Sequence, residues 1–208
     1  MIIIIDYGLG NLGSIKNAFD KLNIPAQISG SPDAVKEANI LILPGVGAAG
    51  QGMRNLRRNG LDKTLIDEIN KGKPFLGICL GMQLLFERSE EGNSKCLGIL
   101  KGKVIKFQKE RKIPQIGWNE IRIKNYESRI KNQLFNKIPD NSYFYFVNSY
   151  YCMPEDKSII VAQTQYEEKF PSVIIKDNII ATQFHPEKSG SVGFQLLENF
   201  ARGIKNVN

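Results

Sequence analysis

Short, continuous apolar runs closed by glycine or proline punctuate the first part of the chain. Ile2–Ile5, Ile40–Leu43 and Phe75–Ile78 show no polar alternation, the pattern of strands buried on both faces. Between them the spacing turns helical. Ile15, Ala18, Phe19 and Leu22 recur at three- and four-residue intervals within Ser14–Leu22, and Gln51–Arg58 and Leu61–Lys71 read as two further helices. Another helix is expected to begin near Gly81, directly after the third run. Strands alternating with helices in this way predict a parallel sheet with helices on both faces.

Past residue 98 the texture changes to short strand-like runs: Lys103–Phe107, Glu120–Ile123, Tyr143–Val147, Ile159–Thr164, Ser172–Ile175 and Ile179–Phe184. This half predicts an antiparallel or mixed sheet extending the first, closed by a helix near Val192–Ile204. Lys106–Ile113 reads as a basic, solvated loop, and Lys124–Lys137 as a polar connection. No repeat, low-complexity tract or linker interrupts the chain, so a single α/β domain over 1–208 is expected.

Composition narrows the class. Of the 208 residues 42% are hydrophobic and 24% charged, which fits a globular chain and excludes a fibrous or disordered one. Lys and Arg exceed Asp and Glu by 28 to 21, a net charge of +7. The excess is spread as Lys among Glu and Asn, as on an ordinary solvated face, and nucleic-acid binding is not expected. No apolar run reaches membrane-spanning length, so no membrane association is expected. The opening residues have neither a preceding basic segment nor a cleavage-type site, and a signal peptide is not expected. Cys79, Cys96 and Cys152 are widely spaced with no C-x-x-C, which fits neither a disulfide framework nor a zinc site. The expectation is a soluble, cytoplasmic protein of a reducing compartment, with no metal.

The candidate chemistry lies at the ends of the apolar runs. Gly77-Ile78-Cys79-Leu80-Gly81 is G-x-C-x-G at a strand-to-helix junction, the cysteine form of a nucleophile elbow. The glycines permit a sharp turn that lifts the thiol from the sheet edge, and a helix N-terminus there favours the thiolate. The amide of Leu80 points where an oxyanion would form. The single histidine, His185, follows the run Ile179–Phe184 within Phe184-His185-Pro186-Glu187. Cys79 as nucleophile, His185 as base and Glu187 as its orienter make a complete acyl-transfer set. Pro44-Gly45-Val46-Gly47, at another strand end, offers a second loop amide for the oxyanion. Cys96 and Cys152 lack such a setting and read as packing residues.

These residues carry a resemblance. Gly77-Ile-Cys-Leu-Gly-Met-Gln83 with Phe184-His-Pro-Glu187 resembles the class I (triad) glutamine amidotransferases. Asp6-Tyr-Gly-Leu-Gly-Asn11, Pro44-Gly-Val-Gly47, Pro114-Gln-Ile-Gly-Trp-Asn119, Tyr145-Phe-Val-Asn-Ser-Tyr150 and His185-Pro-Glu-Lys-Ser-Gly190 are similar to the glutaminase subunits of imidazole glycerol phosphate synthase. The likeness runs from Met1 to about Gly203. It implies hydrolysis of L-glutamine to glutamate and ammonia without a cofactor. The ammonia would pass to a separate (β/α)8-barrel cyclase subunit, in a heterodimer that serves histidine biosynthesis. Carried over by position, the oxyanion amides are those of Gly47 and Leu80. Gln83 contacts bound glutamine, Thr164 and Tyr166 line its α-amino and carboxylate end, and Asn11, Trp118 and Asn119 face the cyclase. The oxyanion hole is expected to be poorly formed until the partner binds its ligand. Two places depart from the family's pattern: Asn148 stands where a histidine is usual, and Glu167-Glu168-Lys169 where a glycine is. They leave open a paralogous glutaminase that feeds a cyclase-like synthase in another pathway, such as nitrogen-containing surface sugars.

Overall fold

The structure is a computed structural model that describes residues 1–108, 112–124 and 129–203. The first part alternates as β1 (Ile2–Ile5), α1 (Leu12–Lys21), β2 (Ala26–Ser29), α2 (Pro32–Glu37), β3 (Ile40–Leu43), α3 (Ala49–Arg58), α4 (Leu61–Asn70) and β4 (Phe75–Ile78). A four-residue helix, α5 (Leu80–Gln83), leads into the short strands β5 (Arg88–Ser89) and β6 (Ser94–Lys95). There follow β7 (Gly102–Lys106), β8 (Gln115–Glu120), β9 (Arg122–Ile123), α6 (Arg129–Leu134), β10 (Tyr143–Asn148) and β11 (Tyr150–Pro154). The chain ends in β12 (Ile160–Tyr166), β13 (Glu168–Lys176), β14 (Ile179–Thr182) and α7 (Gly190–Gly203).

Eight strands form the central sheet in the order β2-β1-β3-β4-β14-β13-β12-β9. The first five run parallel and the last three pairings are antiparallel. Strand pleating then sorts the apolar runs onto two faces. Ile2 and Ile4 join Ile15, Phe19, Leu196 and Phe200 in one core, beneath α1 and α7. Ile3 and Ile5 join Val35, Leu56 and Leu65 in the other, beneath α2, α3 and α4. The outcome is a mainly parallel α/β sheet with an antiparallel extension, the predicted fold class.

The second half differs from its sequence reading in several places. Glu120–Ile123 is not one strand. Buried Ile121 separates β8, which pairs with β10, from β9, which pairs with β12, so the chain changes sheets there. The stretch 124–137, read as polar connection, contains α6 and delivers Leu134 and Phe135 to the core. Two small sheets, β10-β8 and β11-β7-β5-β6, stand apart from the main one. Of the basic loop, residues 109–111 lie outside the described residues, while Phe107 packs against Tyr151 and Phe170. The edge strand β2, the helix α2 and β11 were not anticipated. The helix expected near Gly81 starts one residue earlier and is only four residues long.

Candidate active site

Tyr7, Pro44–Gly47, Cys79 and His185 follow the C-terminal ends of β1, β3, β4 and β14, adjacent strands of the parallel region. That end of an open α/β sheet is where loops leave a crevice. Cys79 sits in the turn from β4 to α5 with φ 54° and ψ −106°, a left-handed backbone on a residue with a Cβ. Such strain persists only where the surroundings enforce it. Two contacts do so. The Cys79 N–H donates to the Thr182 carbonyl at 2.8 Å, and Gly81 lies so close to the Leu43 carbonyl that a Cβ there would collide with it.

His185 is clamped along its backbone. Its N–H donates to the Tyr145 carbonyl at 2.9 Å, and its carbonyl accepts from the Ser189 hydroxyl at 2.6 Å. The Glu187 carboxylate meets Nδ1 at 2.8 Å. Nε2 is buried with no hydrogen-bond partner. Burial acts most strongly and disfavours the imidazolium, yet the Cys79 sulfur and the Glu187 carboxylate outweigh it and push the ring's pKa up to about 10. The ring is therefore built to hold a proton beside the sulfur.

The amide proposed for an oxyanion is engaged. Leu80 N–H donates to the Gly45 carbonyl at 3.4 Å, so the amide of Leu80 is closed from within. Gly47 is exposed, with φ 101°. Gly45 itself lies against the Tyr7 hydroxyl, which is buried and unpartnered. Burial and then the Cys79 sulfur raise the Tyr7 pKa, so the phenol stays neutral.

Gln83 is buried on α5 and donates through Nε2 to the Tyr150 carbonyl at 3.0 Å and to Gln183 Oε1 at 3.1 Å. Thr164 and Tyr166 belong to β12, two strands beyond β14. The Thr164 hydroxyl is buried without a hydrogen-bond partner, and Tyr166 donates to the Lys112 carbonyl at 2.7 Å. Asn11 caps α1 by accepting from Ser14 N–H at 3.2 Å, worth about 1 kcal/mol to the helix. Trp118 is exposed on β8 and meets the Tyr145 ring edge-on at 6.1 Å, and Asn119 donates to the Gln165 carbonyl at 3.0 Å. Asn148 donates to the same Tyr150 carbonyl as Gln83, at 3.0 Å. Cys96 and Cys152 are buried. Burial raises both thiols, Cys96 to about 11.

A cysteine on a strained elbow beside a carboxylate-held imidazole is equipped for acyl transfer. The glutamine amidotransferase class-I family matches residues 3–204. The chain belongs to that family. Among its relatives are proteins named imidazole glycerol phosphate synthase subunit HisH. The one from Dehalococcoides mccartyi is 47% identical over 96% of this chain and 96% of its own. That of Aquifex aeolicus is 46% identical over 99% and 98%, and subunit HisH 2 of Methanococcus maripaludis 48% over 97% and 99%. The fold is likewise shared. A chain in the structure of PurLQS from Thermotoga maritima superposes with a TM-score of 0.76 at 17% identity, covering 98% of each chain. A glutamine amidotransferase crystal structure gives 0.74 at 16% identity over 96% of each. The residues that follow β3, β4 and β14 are therefore the candidates for that family's chemistry.

One residue beside Cys79, Gln183, is not evident in the sequence as a site residue. Its signal was available: Thr182-Gln183 is a polar pair at the end of an otherwise apolar strand, and polar side chains in such strands have partners.

Proposed function

We propose that this chain, a single amidotransferase domain over 1–208, is the glutaminase subunit of an imidazole glycerol phosphate synthase. It hydrolyses L-glutamine and passes ammonia to a separate (β/α)8-barrel cyclase in histidine biosynthesis. What carries the reading is identity of 46–48% over nearly the full length with proteins named as HisH subunits of that synthase. With its proton held on His185, as the raised ring pKa implies, Cys79 Sγ attacks the side-chain carboxamide carbon; Nε2 is the ring nitrogen with no other partner. The tetrahedral oxyanion collapses, the C–N bond breaks, and the His185 proton leaves with ammonia. Water, deprotonated by His185, then cleaves the thioester to glutamate and restores the thiol. Glu187 holds the ring through Nδ1 and stabilises its charge.

Leu80 and a peptide of the Gly45–Gly47 loop supply the oxyanion donors once Leu80 N–H leaves the Gly45 carbonyl. Gln83 has both amide hydrogens engaged, so it offers its Oε1 to a donor on glutamine. Thr164 and Tyr166 contact the α-amino acid end. The cyclase docks on the apolar face of β8 and β10, where Ile116, Trp118 and Tyr143 are exposed. Asn11 and Asn119 also face the cyclase, and the heterodimer works in the cytoplasm. Among the described residues no helix is long and apolar enough to cross a membrane. A dry passage between subunits keeps ammonia unprotonated and nucleophilic.

The decisive assay is glutamate release by the purified chain, alone and with a histidine-pathway cyclase and its ribulosyl substrate or an analogue. Low activity alone and a many-fold rise with both are expected. If a competent cognate cyclase neither binds nor stimulates it, the pathway assignment falls.

A further inference from the structure

The Tyr150 carbonyl fixes the direction of a hydrogen-bond chain that ends on the nucleophile. A carbonyl can only accept, so the Gln83 group facing it must be the amide nitrogen, 3.0 Å away. The second hydrogen of that nitrogen points to Gln183 at 3.1 Å, so Gln183 presents its oxygen there. That leaves the Gln183 amide nitrogen facing Cys79 Sγ, at 3.6 Å. Gln183 is fully buried, and its backbone N–H is fixed on the Ser172 carbonyl at 2.9 Å. It therefore cannot turn over without breaking the whole chain of bonds.

We propose that Gln183 is a positioning residue for glutamine hydrolysis, its amide N–H holding the Cys79 sulfur and stabilising the thiolate. The inference rests on the glutaminase reading of the same site and adds to it a group outside the triad and the oxyanion loop. The need for it is local. Cys79 Sγ also faces the Val147 carbonyl at 3.7 Å, which accepts from a thiol and repels a thiolate. The helix behind the sulfur is only four residues long, so its dipole is small. An N–H donor aimed at the sulfur favours the ionised form. Because Gln83 sets the orientation of Gln183, a substrate bound to Gln83 Oε1 is linked through two amides to the nucleophile.

The test uses the full chain, and its first readout needs no glutamine. Alkylation of Cys79 by iodoacetamide is followed against pH in the unmutated protein and in Gln183→Met, which keeps the side-chain length and removes the donor. The pH midpoint is expected to rise by about one unit in a variant that circular dichroism shows to be folded. In the glutaminase assay kcat should fall about tenfold with KM little changed. An unchanged midpoint in the folded variant overturns the proposal. If Gln183→Met does not fold, the unmutated chain decides by nitrogen-15 NMR. The Gln183 side-chain amide should shift as Cys79 ionises, and should not titrate in Cys79→Ala. An amide that ignores the thiol's ionisation overturns the proposal equally. A midpoint that does rise in Gln183→Met, beside no glutamate release by the unmutated chain even with the cyclase and its ligand, would instead count against the glutaminase reading and leave the thiolate contact standing.

Discussion

Cys79 and His185 are 6% and 3% exposed and the Glu187 side chain 1%, whereas Ile116, Trp118 and Tyr143 stand 60%, 56% and 57% exposed. Polar groups lie inside and large apolar ones outside, and each departure has its own reason. Chemistry that moves a proton between sulfur and imidazole gains from exclusion of water, since nearby charges then act strongly. A contiguous exposed apolar face is tolerated where another surface covers it. One strand separates the two regions. On β10, Tyr145 and Val147 turn their side chains toward the Trp118 face. Their carbonyls meanwhile accept from His185 N–H and the Cys79 thiol. Pressure on the apolar face is thus one backbone away from Cys79 and His185.

The comparison breaks most plainly at the buried end. Cys79→Ala should abolish glutamine hydrolysis, by on the order of 10⁴-fold or more, while binding to the cyclase persists in a pull-down or titration. Turnover that survives the substitution would remove the triad from the account.

Glu187→Gln probes the same centre more finely. Glutaminase kcat should drop by about 10³–10⁴-fold, as when an orienting carboxylate is replaced in a comparable triad. Stability carries a second signature. The native His185 pKa is raised to about 10, above the roughly 6.5 of an unfolded chain. Its contribution is therefore complete below about pH 6.5 and is lost as pH rises toward about 10. Removing the Glu187 charge should move that loss to lower pH, read as Tm against pH. Identical Tm profiles would show that Glu187 does not support the charged ring.

The exposed end should give the smallest effect and a different kind. Trp118→Ala is expected to weaken cyclase binding by about 2 kcal/mol, roughly 30-fold. Unstimulated hydrolysis and Tm should stay close to the unmutated values, because the ring is exposed and meets Tyr145 edge-on. Unchanged affinity, measured by calorimetry, would move the docking surface elsewhere.

The readability of the chain follows the same division. Ile2–Ile5, Ile40–Leu43 and Phe75–Ile78 were plain because strands buried on both faces are apolar without interruption. β2 was missed because it is an edge strand, with Gln27 and Ile28 exposed, and carries no such run. Glu120–Ile123 reads as one strand because nothing local reveals a change of partner at Ile121. Cys79, His185 and Glu187 stood out through rare residue types in tight motifs. Gln183 did not, since its meaning lies in a contact 104 positions away in the chain.

By itself, then, the sequence determined the alternating elements, the Cys79 elbow, the His-Pro-Glu segment and the amidotransferase resemblance, all of which are written in neighbouring residues. Only the tertiary structure decided that β14 lies parallel against β4, which brings His185 to Cys79. It also decided that Leu80 N–H is held by Gly45, and that Gln183 presents its nitrogen to the sulfur. Periodicity and motif are properties of local chain geometry. Strand order and the direction of a buried hydrogen bond are settled by distant groups that must satisfy one another once water is excluded.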